Sequence, residues 1–138
     1  MTSESFQDYM KRVSESIERA GDRRDSTFNA QRELDYSIEF LRRNLGGAQS
    51  FLEEDDDWEY CLEVAGSSRF HFHRALEITR LFGLDSSLKK GAAELYLEFD
   101  KLKERAEERF RRFYSILFDE GEIASYGQTR ELALSLVD

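Results

Sequence analysis

One stretch decides the fold that this sequence predicts: residues 86–120, which read SSLKKGAAELYLEFDKLKERAEERFRRFYSILFDE. Residues that are apolar at every position but one recur in this stretch at alternating intervals of three and four. That spacing turns one face of a helix toward a partner helix. Asp85 or Ser86 can cap the start of this helix, and Gly121 can end it. We therefore predict one long helix over 86–120. Its inward stripe consists of Leu88, Ala92, Leu95, Phe99, Leu102, Ala106, Arg109, Phe113 and Ile116.

A second long helix is predicted near the N-terminus. Apolar residues follow the same rhythm through most of residues 5–45, and the register is unchanged across Gly21. A glycine inside a helix costs only about 1 kcal/mol, which packing can override. We predict one helix over about 5–45; the alternative is two helices separated by a kink or short turn near residues 21–26. The adjacent Gly46 and Gly47 are predicted to end the helix.

The remaining periodic segments predict shorter helices over 58–65, 68–82 and 129–137, and no alternating strand pattern is present. Two long apolar stripes must be buried against other elements, and short connections favour neighbours that pack together. The sequence therefore predicts an all-α fold over residues 1–138, a single domain. We expect an elongated, coiled-coil-like bundle of five to six helices in which the two long helices are antiparallel.

Composition limits the classes of partner. The chain has 138 residues, no proline and a formal net charge of −9. That charge argues against direct binding to nucleic acid phosphates or to anionic lipid, and it is compatible with a basic protein partner. Cys61 is the only cysteine, which fits a reducing compartment. The sequence offers neither a signal-peptide pattern nor an apolar run long enough for a membrane span, so we expect a cytoplasmic protein.

A run of acidic residues is the candidate interaction segment. Six carboxylates surround one tryptophan, and such a block favours a solvated loop. The run could also compete with phosphates for a basic site on a partner, as an inhibitor or immunity-type protein would. Its residues are Glu53, Glu54, Asp55, Asp56, Asp57, Trp58 and Glu59.

The two histidines are the candidates for metal binding or catalysis. His71 and His73 point away from each other on a helix, so they cannot share one metal. His73 and Glu77 are four residues apart and could supply two ligands, although two ligands do not complete a site. The alternative is a histidine that is hydrogen-bonded to Glu77 in a structural role. The sequence predicts no cofactor.

Three functions are compatible with these patterns. The first is a non-enzymatic, acidic helical protein that regulates or binds another protein, with heptad surface available for a homodimer. The second is the inhibitor that uses the acidic run as a phosphate mimic. The third is a helical RNA-processing or metal-dependent enzyme subunit that uses His73 with Glu77.

Overall fold

The computed structural model of this chain describes residues 4–24, 29–55, 57–109, 118 and 120–138. Those residues form helices and connections without a strand, which confirms the all-α bundle. The six helices of the described residues are α1 (Phe6–Arg24), α2 (Ala30–Asp55), α3 (Glu59–Glu63), α4 (Ala65–Leu81), α5 (Ser87–Arg109) and α6 (Glu120–Val137).

Short polar side chains define where several helices begin. The Ser5 hydroxyl accepts a hydrogen bond from the Asp8 amide at 3.1 Å, and the Asn29 side chain accepts one from the Arg32 amide at 3.1 Å. Asp85 accepts one from the Ser87 amide at 2.9 Å. Each of these bonds satisfies a backbone donor that has no partner inside the first turn of a helix.

The N-terminal helical region is divided in two, as the alternative interpretation of residues 21–26 anticipated. Helix α1 ends at Arg24 and α2 begins at Ala30, so a single helix over 5–45 is wrong. Asn29 is not helical, and its side chain caps α2. Residues 25–28 lie outside the described residues.

The predicted stop at Gly46 and Gly47 is also wrong, because α2 continues through both glycines to Asp55. Gly47 lies directly against the ring of Tyr60, and a Cβ atom there would be 2.5 Å from the Tyr60 hydroxyl oxygen. Tyr60 in turn packs on the Phe51 ring, with centroids 4.6 Å apart. Gly47 therefore permits a close helix contact, and packing overrides its low helix propensity.

We predict opposite effects for alanine at these two adjacent glycines. Gly46→Ala should stabilise the protein by about 0.5–1 kcal/mol, because its Cβ would meet nothing within 4 Å. Gly47→Ala should destabilise it by about 1–3 kcal/mol, because the packed Tyr60 ring would have to move. Urea unfolding of the two variants measures both changes, and equal effects would contradict the close contact at Gly47.

The C-terminal helix is longer than the sequence indicated. Gly121 was expected to end the long helix, and the last helix was expected to span only 129–137, but α6 runs from Glu120 to Val137. Tyr126 and Thr129 are buried in this helix, so tertiary packing holds the segment helical. The predicted helix over 86–120 corresponds to α5 as far as Arg109, but a single helix to residue 120 is wrong, because Phe118 is not helical and Glu120 begins α6. Phe113, Ile116 and the rest of 110–117 lie outside the described residues.

Helix α4 lies against α1, α2, α3 and α5. It runs antiparallel to α2, because Asn44 meets Ser68 whereas Glu33 meets Arg74. It also runs antiparallel to α5, because its C-terminal half shares one core cluster with the start of α5 and its first residue, Ala65, shares the other with the end of α5. Helices α2 and α5 consequently run in the same direction, which differs from the predicted antiparallel pair.

The described residues form two clusters of buried side chains in the core, and α5 contributes to both. Ala92, Phe99 and Ala106 of its predicted stripe are at most 1% exposed, and Leu95 and Leu102 are partly buried beside them.

Among the described residues, no helix combines the length and apolar character that a membrane span requires.

Candidate protein-docking groove

A groove of about 520 Å³ runs along the surface between α2 and α5. Its floor is apolar: Leu34 and Ala92 are buried there, and Ile38, Leu88 and Leu95 are partly exposed. The groove is open because α5 carries Gly91 on this face, where a Cβ would meet nothing within 4 Å. We call this surface, with the residues of its rim, the α2–α5 groove.

The rim of the α2–α5 groove is acidic. Four exposed carboxylates line it against one exposed guanidinium, that of Arg42. Two of the carboxylates already have partners, since Glu39 pairs with Arg43 at 3.4 Å and Asp35 accepts a hydrogen bond from Gln31 at 2.9 Å. Within the described part of the chain, Glu94 and Glu98 have no ion-pair partner. The four carboxylates belong to Asp35, Glu39, Glu94 and Glu98.

The length of the groove suits a helical segment. On α2 it extends from Leu34 to Arg42, and on α5 from Ser87 to Glu98. At 1.5 Å per residue these stretches are about 12 and 17 Å long, or roughly two to three turns of helix. An apolar floor between polar walls is the surface that accepts one face of an amphipathic helix.

The predicted acidic segment is divided between two elements. Glu53 and Glu54 are exposed near the end of α2, whereas Asp57 is partly buried and its carboxylate accepts a hydrogen bond from the Tyr60 amide at 3.3 Å. Glu59 is exposed in the first turn of α3. Of the remaining candidates, Asp56 lies outside the described residues, and Asp55 is placed only as the last residue of α2.

Trp58, the aromatic member of the same segment, lies against α5. The guanidinium carbons of Arg105 and Arg109 are 5.3 and 5.7 Å from the centre of its ring. Cation–π contacts of this kind hold the start of α3 against the end of α5. Arg109, which the periodicity placed on the inward stripe, is exposed.

His73 and Glu77 have different partners in the structure. His73 is 2% exposed, and its Nε2 atom is 2.9 Å from the hydroxyl oxygen of Thr129, whereas Glu77 pairs with Arg80. Burial, and to a lesser extent the nearby Arg69, lowers the pKa of His73 to about 4. Among the described residues, no group of three or more His, Cys, Asp or Glu side chains could hold a metal ion.

His71 belongs to a different polar cluster, which joins α1, α2 and α4. Its Nδ1 atom is 3.3 Å from the Ser37 hydroxyl, and its ring stacks on Phe40 at 4.3 Å. Burial and the neighbouring Arg74 lower the pKa of His71 to about 4, so the ring is neutral at pH 7. Arg74 donates hydrogen bonds to Glu33, Ser37 and Ser16. These bonds join α4 to α1 and α2, so the role of this cluster is structural.

Sequence reasoning missed the α2–α5 groove, because its rim comes from two helices that are far apart in the chain. The spacing of apolar residues within each helix predicts which stripe of that helix is buried. It does not predict the adjacent surface that lines the groove. The signal that could have found it is the glycine at 91 among apolar residues of an otherwise regular helix.

Comparison with known proteins gives no match to a family model, to a curated protein or to a solved structure.

Proposed function

We propose that this chain is a non-enzymatic interaction protein that binds a basic, amphipathic helical segment of another protein in the α2–α5 groove. One observation carries the proposal: partly exposed apolar residues, among them Ile38 and Leu95, lie between carboxylates on both sides. Apolar side chains of the bound helix would cover the floor, and its Lys or Arg residues would face the rim.

The charge of the groove favours a basic partner over a second copy of the chain. Each copy carries a net charge of −9, so two grooves facing each other would bring like charges together. Nucleic acid is disfavoured for the same reason, because phosphates would meet the carboxylates of the rim. A basic helix removes apolar surface from water and also places opposite charges side by side.

The proposal is tested with two synthetic helical peptides of ten to twelve residues that share the same leucine face. One carries arginine on its flanks and the other glutamate; fluorescence anisotropy measures the binding of each to the full chain. The arginine peptide should bind, more weakly as salt rises, and the glutamate peptide should not. Equal binding of both peptides would overturn the proposal.

Two pairs of matched variants locate the binding. Gly91→Leu fills the groove and should weaken binding at least tenfold, whereas Gly46→Leu, on an exposed part of α2 with equal space, should leave it unchanged. The double variant Glu94→Gln/Glu98→Gln should weaken binding by roughly twofold to tenfold. The same change at Glu53 and Glu54 is the control.

The second pair also separates the groove from the acidic segment. If that segment bound basic partners by resembling phosphates, the Glu53→Gln/Glu54→Gln variant would bind the arginine peptide more weakly, and the groove variants would bind it normally. That result would show that the partner binds residues 53–59 and not the α2–α5 groove.

A further inference from the structure

A second polar region lies inside the bundle where α1, α4, α5 and α6 meet. The guanidinium of Arg69 lies over the rings of Tyr9 and Tyr126, at 4.0 and 5.4 Å, and its Nε donates a hydrogen bond to Thr129 at 3.0 Å. The ammonium of Lys103 lies 4.1 Å from the centre of the Tyr126 ring. Arg69, Lys103 and Tyr126 are all buried, so the region is closed to bulk solvent.

Three buried oxygen atoms in this region have no hydrogen-bond partner in the described part of the chain: Tyr9 Oη, Tyr96 Oη and Asp100 Oδ1. Their residues are 6%, 0% and 3% exposed. Tyr96 and Asp100 are one turn apart on α5. Burial raises the pKa of Tyr96, and the Asp100 carboxylate, Tyr126 and Tyr9 raise it further, which agrees with their proximity.

An isolated buried hydroxyl or carboxylate oxygen is costly, and proteins rarely leave three of them together. The chemistry of these atoms restricts what can satisfy them. Asp100 Oδ2 already accepts a hydrogen bond from Arg130, so Oδ1 requires a further donor. The tyrosine hydroxyls can donate and accept.

The charges around these atoms balance, so an ionic ligand would add an uncompensated charge to a buried region. Lys103 pairs with Glu107, and Arg130 pairs with Asp100 and Glu104, so these three carboxylates match Arg69, Lys103 and Arg130 in number. A small neutral molecule that both donates and accepts hydrogen bonds is the kind of ligand that fits these three oxygen atoms. We propose that ordered water molecules bind at Tyr9 Oη, Tyr96 Oη and Asp100 Oδ1, where α1 and α5 meet beside Arg130 of α6.

Removal of one hydroxyl gives opposite results for a hydrated and a dry site. If water bridges Tyr96, then Tyr96→Phe leaves that water short of a partner, and the folding equilibrium constant should fall about threefold to tenfold. If the hydroxyl is buried dry, its removal relieves an unsatisfied group, and the constant should stay the same or rise. Urea unfolding at pH 7 measures the constant. A rise, or no change, would overturn the proposal.

Tyr36→Phe is the matched control, because Tyr36 is 52% exposed and its hydroxyl can reach solvent; we expect no change. A high-resolution crystal structure of the full chain supplies an independent readout that does not depend on stability. Water density within about 2.6–3.2 Å of at least two of the three oxygens is expected. A dry interior, with those oxygens bonded to protein atoms, would overturn the proposal.

Discussion

Replacing Arg74 with methionine is expected to lower the free energy of unfolding by about 3–5 kcal/mol. The side chains of Arg74 and Glu33 are 5% and 9% exposed, and they form an ion pair at 3.0 Å. Nη1 of Arg74 also donates to Ser37 at 2.9 Å, and its Nε donates to Ser16 at 3.0 Å. The substitution would leave the Glu33 carboxylate buried without its cation. Urea unfolding monitored by circular dichroism measures the change.

Two further variants make this result interpretable. Arg80→Met removes the exposed Arg80–Glu77 pair from the same helix, α4, and should leave the stability nearly unchanged because water screens that pair. Arg74→Met combined with Glu33→Met removes both buried charges and should recover most of the loss. A single-variant loss below about 1 kcal/mol would mean that Glu33 reaches solvent once Arg74 is gone.

Replacing Phe99 with alanine is expected to cost about 3–5 kcal/mol as well, for a different reason. Phe99 is 1% exposed and belongs to the core cluster that joins α2, α3, α4, α5 and α6. The substitution removes apolar surface from the core and leaves a cavity that its neighbours, Leu45 and Leu62 among them, can fill only in part. The same unfolding measurement applies.

The control for Phe99 is Phe82→Ala, since Phe82 is 44% exposed at the end of α4. Its loss should be less than half that of Phe99→Ala, because much of the Phe82 ring is in water in both states. Equal losses would contradict the placement of Phe99 in the core and with it the register of α5.

Periodicity within one helix predicted much of α5, because it depends only on residues three and four positions apart. Ala92, Phe99 and Ala106 were placed on the inward face and are buried there. The same pattern could not identify Asp100 and Lys103, which are buried too, since a charged side chain is accepted in a core only when a partner from another helix or turn compensates it. For Asp100 that partner is Arg130 of α6, which is 30 residues away.

The candidate site could be predicted only in part. Net charge is compatible with a basic partner, and the sequence pointed to the most concentrated acids, residues 53–59, whereas the Asp57 carboxylate accepts a hydrogen bond from the Tyr60 amide in the first turn of α3. The rim of the α2–α5 groove combines Asp35 and Glu39 with Glu94 and Glu98. Nothing local to either helix shows that these two pairs face one groove.

The sequence by itself determined the all-α class, most of the inward face of α5 and the Asp85 cap, because helix propensity, capping and periodicity act within a few residues of the chain. Tertiary structure alone decided that α2 passes through Gly47, where Tyr60 occupies the space that a side chain would need. It also decided that α2 and α5 run in the same direction with an acidic groove between them. These outcomes depend on contacts between distant segments, which no local pattern records.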